Sequence, residues 1–306
     1  MIWLLVACFL WGPSFGLVPV LVGNYGMNPF MLSVLRMAFS FILFAPLMGN
    51  QSLPSKQKLQ LILLGGLQFG VMYLTLFVSY DYMEGYEVAL VTIFTPLYVT
   101  LFDRVLNKEC CKLKLLVSVL LAVVGAGIIR YARVHDNSEF WFGFGLLQIC
   151  NLSFAVGQII YKRTMKANEG LQDMYAFGWM YLGALLVTLI GWAALAPMTE
   201  TLKHLQELPL LAWGIVLWLG LIPSGLAFFM FNHGSLQVDT GTLAIINNLK
   251  IPIALIIVLL LFKQGEAIGS WTRFTVGTLL MLGALWLNQR PVKKSVPVAE
   301  SDQPPQ

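Results

Sequence analysis

Ten apolar runs of about 20 residues set the architecture that this chain can adopt. As an α-helix, a run of that length spans a hydrocarbon core of about 30 Å. The connections between the runs are short and leave no room for an inserted soluble domain. The sequence therefore predicts an all-α polytopic membrane protein with ten transmembrane helices. The runs lie near 2–22, 29–48, 60–80, 87–106, 113–132, 141–161, 174–195, 209–231, 240–262 and 269–289.

Composition and charge exclude several classes of function. Charged residues make up 11% of the chain, whereas a soluble domain has about 25%. The net charge of +4 is spread over short loops, so the sequence lacks the clustered basic face that nucleic-acid binding requires. The four cysteines have no metal-ligand spacing, and no histidine is paired with a carboxylate in a catalytic motif. We expect a transporter with a small-molecule substrate and the lipid bilayer as partners, not an enzyme, with no cofactor, metal or nucleic acid.

Lysine and arginine residues predict how the helices are oriented in the membrane. With both termini on the same side, twelve of these residues fall on that side and five fall on the other. Loops rich in lysine and arginine stay in the cytoplasm. Both termini are therefore predicted to be cytoplasmic, and the Pro-rich polar tail at 291–306 is predicted to be disordered.

An internal repeat relates the two halves of the sequence. Gly85 precedes Pro96 by eleven residues, and Gly241 precedes Pro252 by the same number. The period is about five runs, an odd number, so the two halves insert with opposite orientations. Inverted repeats are typical of secondary transporters, whose solute site lies at the repeat interface near the bilayer midplane. The predicted domains are a five-helix repeat at 1–133, a second five-helix repeat at 139–290, and the tail at 291–306.

A polar cluster interrupts the run at 240–262. Asn247, Asn248 and Lys250 precede Pro252, which lacks an N–H and frees carbonyl groups in the preceding turn. A cation near the midplane costs about 2.5–3.5 kcal/mol on insertion scales, so Lys250 is expected to face protein or a water-filled cavity. No carboxylate lies at comparable depth in the sequence, which leaves the solute as the predicted counter-ion of Lys250.

Helical spacing indicates which other side chains can share that cavity. Asn151 and Gln158 fall on one face of their helix, and Thr92 and Thr95 fall on one face of another. Threonines can instead bond to their own helix, and buried amides can instead join two helices. Arg36 is interpreted differently, as a structural residue that snorkels or caps a helix end. The candidate substrate-binding residues are Trp11, Phe15, Gln68, Tyr73, Thr95, Tyr98, Asn151, Gln158, Asn247 and Lys250.

Four short motifs are Trp11-Gly12, Pro29 with Arg36, Pro96 with Glu109, and Pro252 with Glu266. In order and spacing they resemble the drug/metabolite transporter superfamily, and within it the branch with two EamA-type halves. This resemblance covers residues 1 to about 290 and implies a ten-helix carrier of the bacterial inner membrane with a central cavity. A closer similarity to bacterial biotin-uptake permeases implies import of a vitamin-like acid. The segments that carry this similarity are Gln68–Tyr73, Thr95–Tyr98, Gly125–Tyr131, Tyr161–Arg163, Gln237–Leu243 and Asn247–Asn248.

The leading prediction is a secondary transporter that takes up biotin or a similar vitamin-like carboxylate by alternating access. Lys250 would pair with the carboxylate, and Gln68, Gln158 or Asn247 would bind the ureido group. Trp11 and Tyr73 would flank the apolar part of the solute. The alternative is an exporter or exchanger of amino acids or of a nucleoside-like metabolite such as S-adenosylmethionine. No acid lies deep in a run, so proton coupling is left open, and the sequence gives no oligomeric state.

Overall fold

The structure is a computed structural model that describes residues 1–106, 108, 137–168, 170–238 and 270–289, with shorter pieces within 113–128, 243–247 and 253–259. The described residues form helices and no strand, which confirms the predicted all-α class. We number the helices α1 to α9 in chain order. They are α1 Ile2–Asn24, α2 Pro29–Leu47, α3 Ser55–Ser79, α4 Gly85–Leu106, α5 Asn137–Ala167, α6 Asp173–Leu195, α7 Met198–Glu207, α8 Leu210–Leu236 and α9 Trp271–Gln289.

Seven of these helices, α1 to α6 and α8, are long and apolar enough to cross a bilayer. They coincide with seven of the predicted runs, and α9 coincides with the last run at 269–289. The runs at 113–132 and 240–262 fall largely outside the described residues. Ten helices and the inverted repeat therefore stay predictions. The short helix α7 was missed because ten residues of mixed polarity give no membrane-length pattern.

Contacts between loops define the two ends of the helix bundle. We call the end at which α1 begins the N-terminal face, and the other end the opposite face. At the N-terminal face, the side chain of Gln51 bonds to the backbone of Gly170 and Gln172 at 2.6 and 3.2 Å. At the opposite face, His204 Nε2 lies 2.8 Å from the carbonyl oxygen of Tyr25. The starts of α1, α3 and α6 and the ends of α2, α4, α5 and α8 are therefore near the N-terminal face.

Helices α3 and α6 cross with their backbones in contact. A Cβ atom at Gly65 would lie 1.9 Å from the carbonyl oxygen of Met180, and one at Gly183 would lie 1.8 Å from that of Ile62. No side chain fits between these two backbones, so the crossing requires glycine on both helices. The crossing joins a helix of the N-terminal half of the chain to one of the C-terminal half and holds α3 in place.

Helix α8 departs from α-helical hydrogen bonding near its middle. It contains a π-helical segment at Gly220–Ala227 with Pro223 inside it. Proline has no N–H to donate, and the disturbed turn leaves carbonyl groups free for other donors. The carbonyl oxygen of Pro223 accepts a hydrogen bond from Trp11 Nε1 at 2.9 Å, and that of Gly220 accepts one from Ser40 Oγ at 2.9 Å. The irregular segment of α8 therefore anchors α1 and α2 at the centre of the molecule.

Candidate functional site

A cavity of about 610 Å³, counting the adjoining solvent, lies between α1, α2, α3, α4, α5 and α8. Val18 and Leu76 line it from the second halves of α1 and α3, and Tyr80 lines it just beyond α3. The cavity therefore occupies the half of the molecule nearer the opposite face. Five of the sequence-predicted site residues line this cavity, namely Trp11, Phe15, Tyr73, Thr95 and Asn151.

Arg36 is the charged residue among the described residues that line this cavity. Its side chain is 1% exposed. Nε donates to Ser224 Oγ at 2.7 Å, Nη2 donates to Tyr73 OH at 3.1 Å, and Ser224 Oγ donates to Tyr73 OH at 3.0 Å. Both partners are neutral, and in the described part of the chain no carboxylate oxygen lies within 4.0 Å of the guanidinium. The cation is therefore held by hydrogen bonds without being neutralised.

Two aromatic rings cover the same guanidinium. Arg36 Cζ lies 4.7 Å from the ring centroid of Tyr73 and 4.9 Å from that of Phe77. A cation over a ring face gains about 0.5–2 kcal/mol from the ring quadrupole. The ring contacts and hydrogen bonds thus fix the position of the guanidinium. They leave its positive charge uncompensated, so that an anionic ligand can neutralise it.

The start of α2 sets the depth at which Arg36 lies. Asn28 caps the helix, because its side-chain oxygen accepts from the backbone N–H of Phe30 and Met31 at 3.0 and 3.2 Å. Arg36 follows Pro29 by seven residues, about 10 Å along a helix. The interpretation of Arg36 as a snorkelling or capping residue is therefore wrong, since its guanidinium lies buried between helices. A cation within a membrane-length run is expected to face protein or a cavity. This argument identified Lys250 as a candidate site residue, and it could have identified Arg36 in the same way.

Aromatic side chains close the cavity toward the N-terminal face. The ring centroid of Trp11 lies 4.6 Å from that of Phe228 and 4.8 Å from that of Phe231. Phe154 lies 5.7 Å from Phe228 and 6.1 Å from Phe231, also between centroids. We call these four residues the aromatic layer. Tilted and edge-to-face pairs at these separations are favourable, so the layer forms a packed floor beneath the cavity.

A break in α4 supplies a polar wall. Pro96 interrupts the hydrogen-bond pattern, and the N–H of Thr95 bonds to the carbonyl oxygen of Thr92 at 3.0 Å. The carbonyl oxygen of Val91 accepts instead from Asn151 Nδ2 at 3.1 Å, and Asn151 Oδ1 accepts from Thr95 Oγ1 at 3.0 Å. Asn151 therefore joins α4 to α5, one of the two roles weighed for buried amides, and it also lines the cavity.

Two further sequence-predicted site residues bond to neighbouring helices outside the cavity lining. Tyr98 donates its hydroxyl hydrogen to Gln148 Oε1 at 2.9 Å. Gln68 donates from Nε2 to Asn232 Oδ1 at 3.1 Å and is fully buried. These bonds connect α4 to α5 and α3 to α8, so the structure gives both side chains a structural role.

The remaining predicted residues lie nearer the N-terminal face or outside the description. Gln158 and Asn247 are each 1% exposed, and in the described part of the chain none of their amide atoms has a hydrogen-bond partner. Lys250 lies outside the described residues. Sequence reasoning also missed Ser14, whose buried hydroxyl lines the cavity and has no partner among the described residues. Its position three residues after Trp11 places it on the same helical face, which is the pattern that could have found it.

Comparisons with known proteins give a family and several relatives. Residues 1–131 match the model of the EamA-like transporter family. Proteins named biotin transporter in Salmonella typhimurium and Escherichia coli are each 35% identical to this chain over 289 residues, which are 94% of this chain and 92% of each relative. A protein named probable biotin transporter in Pseudomonas aeruginosa is 35% identical over 290 residues, which are 94% of this chain and 96% of the relative.

A solved structure resembles the chain over most of its length. This crystal structure of a protein with 16% sequence identity has a TM-score of 0.63, covering 94% of this chain and 95% of that chain. At this level of identity the likeness concerns the fold alone.

Proposed function

The chain belongs to the EamA-like transporter family, and on this premise we propose that it takes up biotin, or a closely similar carboxylate, by alternating access. It is a multi-pass inner-membrane transporter and not an enzyme, as the sequence predicted. Relatives named biotin transporter, aligned over 94% of this chain, support biotin as the substrate.

The observation that carries the proposal is the unneutralised cation in the cavity. Arg36 is buried, and its two hydrogen-bond partners are the neutral side chains of Ser224 and Tyr73. A guanidinium has five N–H donors and matches a carboxylate with two parallel hydrogen bonds. The carboxylate of biotin would supply the missing negative charge. The sequence analysis assigned this role to Lys250, which lies outside the described residues, whereas Arg36 can fill it from within the cavity.

The rest of the cavity suits the other parts of the molecule. Trp11 and Tyr73 offer ring faces for the apolar valeryl chain and the sulfur ring. Ser14, Thr95 and Asn151 offer hydroxyl and amide groups for the ureido N–H and C=O groups. Cation, apolar wall and polar wall thus lie around a single space, as recognition of an amphipathic carboxylate requires.

The predicted orientation is compatible with uptake. If both termini are cytoplasmic, the opposite face is external, and the cavity lies in the outer half of the molecule. Solute would enter from outside, bind at Arg36 and leave after the aromatic layer has opened. Rocking of one half of an inverted repeat against the other provides such alternation in secondary transporters.

Calorimetric titration of the detergent-purified full-length protein tests the proposal. Biotin is compared with its neutral carboxamide on the wild type and on Arg36→Gln. A hydrogen bond to a charged group contributes about 1.5–3 kcal/mol, so we expect roughly 10- to 100-fold weaker biotin binding by Arg36→Gln. The carboxamide should bind both proteins weakly and about equally.

The carboxamide keeps the test decisive even if Arg36→Gln folds poorly. A wild type that binds the carboxamide as tightly as biotin would contradict the pairing of carboxylate and arginine. If an amino acid or S-adenosylmethionine bound and biotin did not, biotin would be rejected as the substrate, whereas the cavity would remain the proposed solute site.

A further inference from the structure

A second cavity lies at the N-terminal face, and we call it the N-terminal vestibule. It measures about 1570 Å³, counting the adjoining solvent, and lies beside the ends of α4, α5 and α8. Its lining is amphipathic, with apolar side chains such as Ile159 and Leu243. Asp103, Lys162, Arg163 and Lys166 also line it, and Lys162 Nζ donates to the carbonyl oxygen of Val238. The lining thus combines apolar, amide and charged side chains.

Gln158 lies at the boundary between the vestibule and the protein core. It lines the vestibule and is 1% exposed. Neither Oε1 nor Nε2 has a hydrogen-bond partner within the described part of the chain. Buried amide groups are nearly always hydrogen-bonded, and one without a partner destabilises the arrangement that buries it. A ligand or water that reached Gln158 from the vestibule would remove that destabilisation.

One face of α5 connects the two cavities. Asn151 and Phe154 line the cavity that contains Arg36, whereas Gln158 and Lys162 line the vestibule. The spacing of three or four residues between successive members puts all four on one stripe. Asn151 and Gln158 are separated by about 10 Å along the helix axis, and the aromatic layer fills this interval.

Other unpartnered polar atoms lie at the same level of the molecule. Asn247 lies one turn beyond Leu243, which lines the vestibule, and neither of its amide atoms has a partner in the described part. Gln68 Oε1 and Asn232 Nδ2 also lack partners there, although the two side chains share one hydrogen bond. The region between the aromatic layer and the vestibule thus holds several polar groups that are not satisfied in this conformation.

We propose that Gln158 and the N-terminal vestibule form a second binding site, called here the second station, which the transported solute occupies after the aromatic layer opens. The solute class is an organic carboxylate with a neutral hydrogen-bonding head. The amide of Gln158 both donates and accepts and so matches a ureido or amide head. The inference rests on the proposed function and adds a release site to it, separate from the site at Arg36.

A solute site at Arg36 and a release site at Gln158 predict different effects of mutations on biotin binding and on biotin transport. The variants are Gln158→Met, Arg36→Gln and the control Gln148→Met, which changes a glutamine of the same helix outside both cavities. Each protein is titrated with biotin in detergent and assayed for biotin counterflow in proteoliposomes. Gln158→Met should bind biotin within about twofold of the wild type, because Arg36 is untouched. Its counterflow should fall on the order of tenfold, the effect of losing a polar contact at the release site.

Each result decides between the alternatives. Arg36→Gln should lose binding and counterflow together, and Gln148→Met should match the wild type in both. Counterflow by Gln158→Met at the wild-type rate would overturn the second station, and loss of binding equal to that of Arg36→Gln would show one site instead of two. If Gln158→Met does not accumulate, Gln158→Asn keeps a shorter amide and should give normal binding with intermediate counterflow; wild-type counterflow again overturns the station. A wild type that neither binds nor exchanges biotin overturns the proposed function itself.

Discussion

The polar groups around Arg36 and those near Gln158 differ in how fully their hydrogen bonds are made. Beside Arg36, the side chains of Ser224 and Tyr73 bond to the guanidinium and to each other. Nearer the N-terminal face, Gln158 and Asn247 make no side-chain hydrogen bond within the described residues. Both regions are almost completely buried, so solvent exposure does not explain the difference.

This difference indicates which part of the molecule is fixed and which part can rearrange. A buried polar group without a partner costs about 1–3 kcal/mol. The described conformation is therefore strained more by the amides near Gln158 than by the side chains near Arg36, where Ser14 Oγ is the unpartnered atom of the described cavity lining. Opening of the N-terminal side would hydrate these groups and relieve that cost. A carrier needs such a division, with a stable solute site and a closure that opens at low cost.

Separating α3 from α6 should affect the protein most, because their crossing holds α3 in place. A Cβ atom at Gly183 would lie 1.8 Å from the carbonyl oxygen of Ile62, and backbone cannot move aside as a flexible side chain can. Gly183→Ala should therefore separate α3 from α6 and destabilise the protein by about 3 kcal/mol or more. Its yield in the membrane and its melting temperature measure this loss.

Gly145→Ala is the matched control for that substitution. A Cβ atom at Gly145 would meet nothing within 4 Å, and alanine is the better helix former by about 1 kcal/mol. This variant should be at least as stable as the wild type. Equal stability of the two variants would show that the contact of α3 with α6 does not hold the site together.

The next effect tests the network around Arg36 directly. Ser224→Ala removes the acceptor of Arg36 Nε and the donor to Tyr73 OH. A lost hydrogen bond to a charged group costs about 1.5–3 kcal/mol, and the guanidinium would lose its orientation, so biotin affinity should fall roughly tenfold. Ser79→Ala is the control, because the buried Ser79 hydroxyl bonds to a carbonyl of its own helix. Equal affinities of the two variants would contradict a fixed site at Arg36.

The sequence predicted the helices well because membrane-length apolar runs leave few alternatives. The predicted helix ends were less accurate, since the run at 141–161 lies inside the longer helix α5, Asn137–Ala167. The helix continues beyond the apolar run through polar turns, such as the one that contains Lys162 and Arg163. Hydropathy does not detect such turns as part of the helix. Glycine and proline mark where the helices become irregular, since Pro96 interrupts α4 and Gly220 begins the irregular segment of α8.

The site was harder to predict than the helices because its contacts join distant parts of the sequence. Arg36 and Ser224 are 188 residues apart in the chain, and nothing local to Arg36 indicates that pairing. Helical spacing placed Asn151 and Gln158 on one face, and the structure agrees. Spacing along one helix could not indicate that the aromatic layer separates the two residues into different cavities.

The same substitution at Asn247 and at Asn151 should change the stability of the protein in opposite directions. Asn247→Leu replaces an amide without partners by an apolar side chain, so it should stabilise the protein by roughly 1 kcal/mol. The same change at Asn151 removes hydrogen bonds to Thr95 and Val91 and should destabilise it by roughly 2 kcal/mol. Chemical or thermal unfolding in detergent compares the two. Destabilisation by Asn247→Leu would mean that Asn247 has a partner in this conformation.

The weakest effects concern Tyr98 and Tyr73, two tyrosines that the sequence analysis treated alike. The hydroxyl of Tyr98 bonds to Gln148 outside the cavity lining, so Tyr98→Phe should cost about 0.5–1 kcal/mol of stability and leave biotin affinity unchanged. The hydroxyl of Tyr73 contacts Arg36 and Ser224, so Tyr73→Phe should weaken biotin binding several-fold. Titration of both variants measures the difference. If Tyr98→Phe lost as much biotin affinity as Tyr73→Phe, the solute site would have to extend beyond the cavity at Arg36. The hydroxyl of Tyr98 bonds between α4 and α5, so a contact with the ligand would be needed to explain the loss.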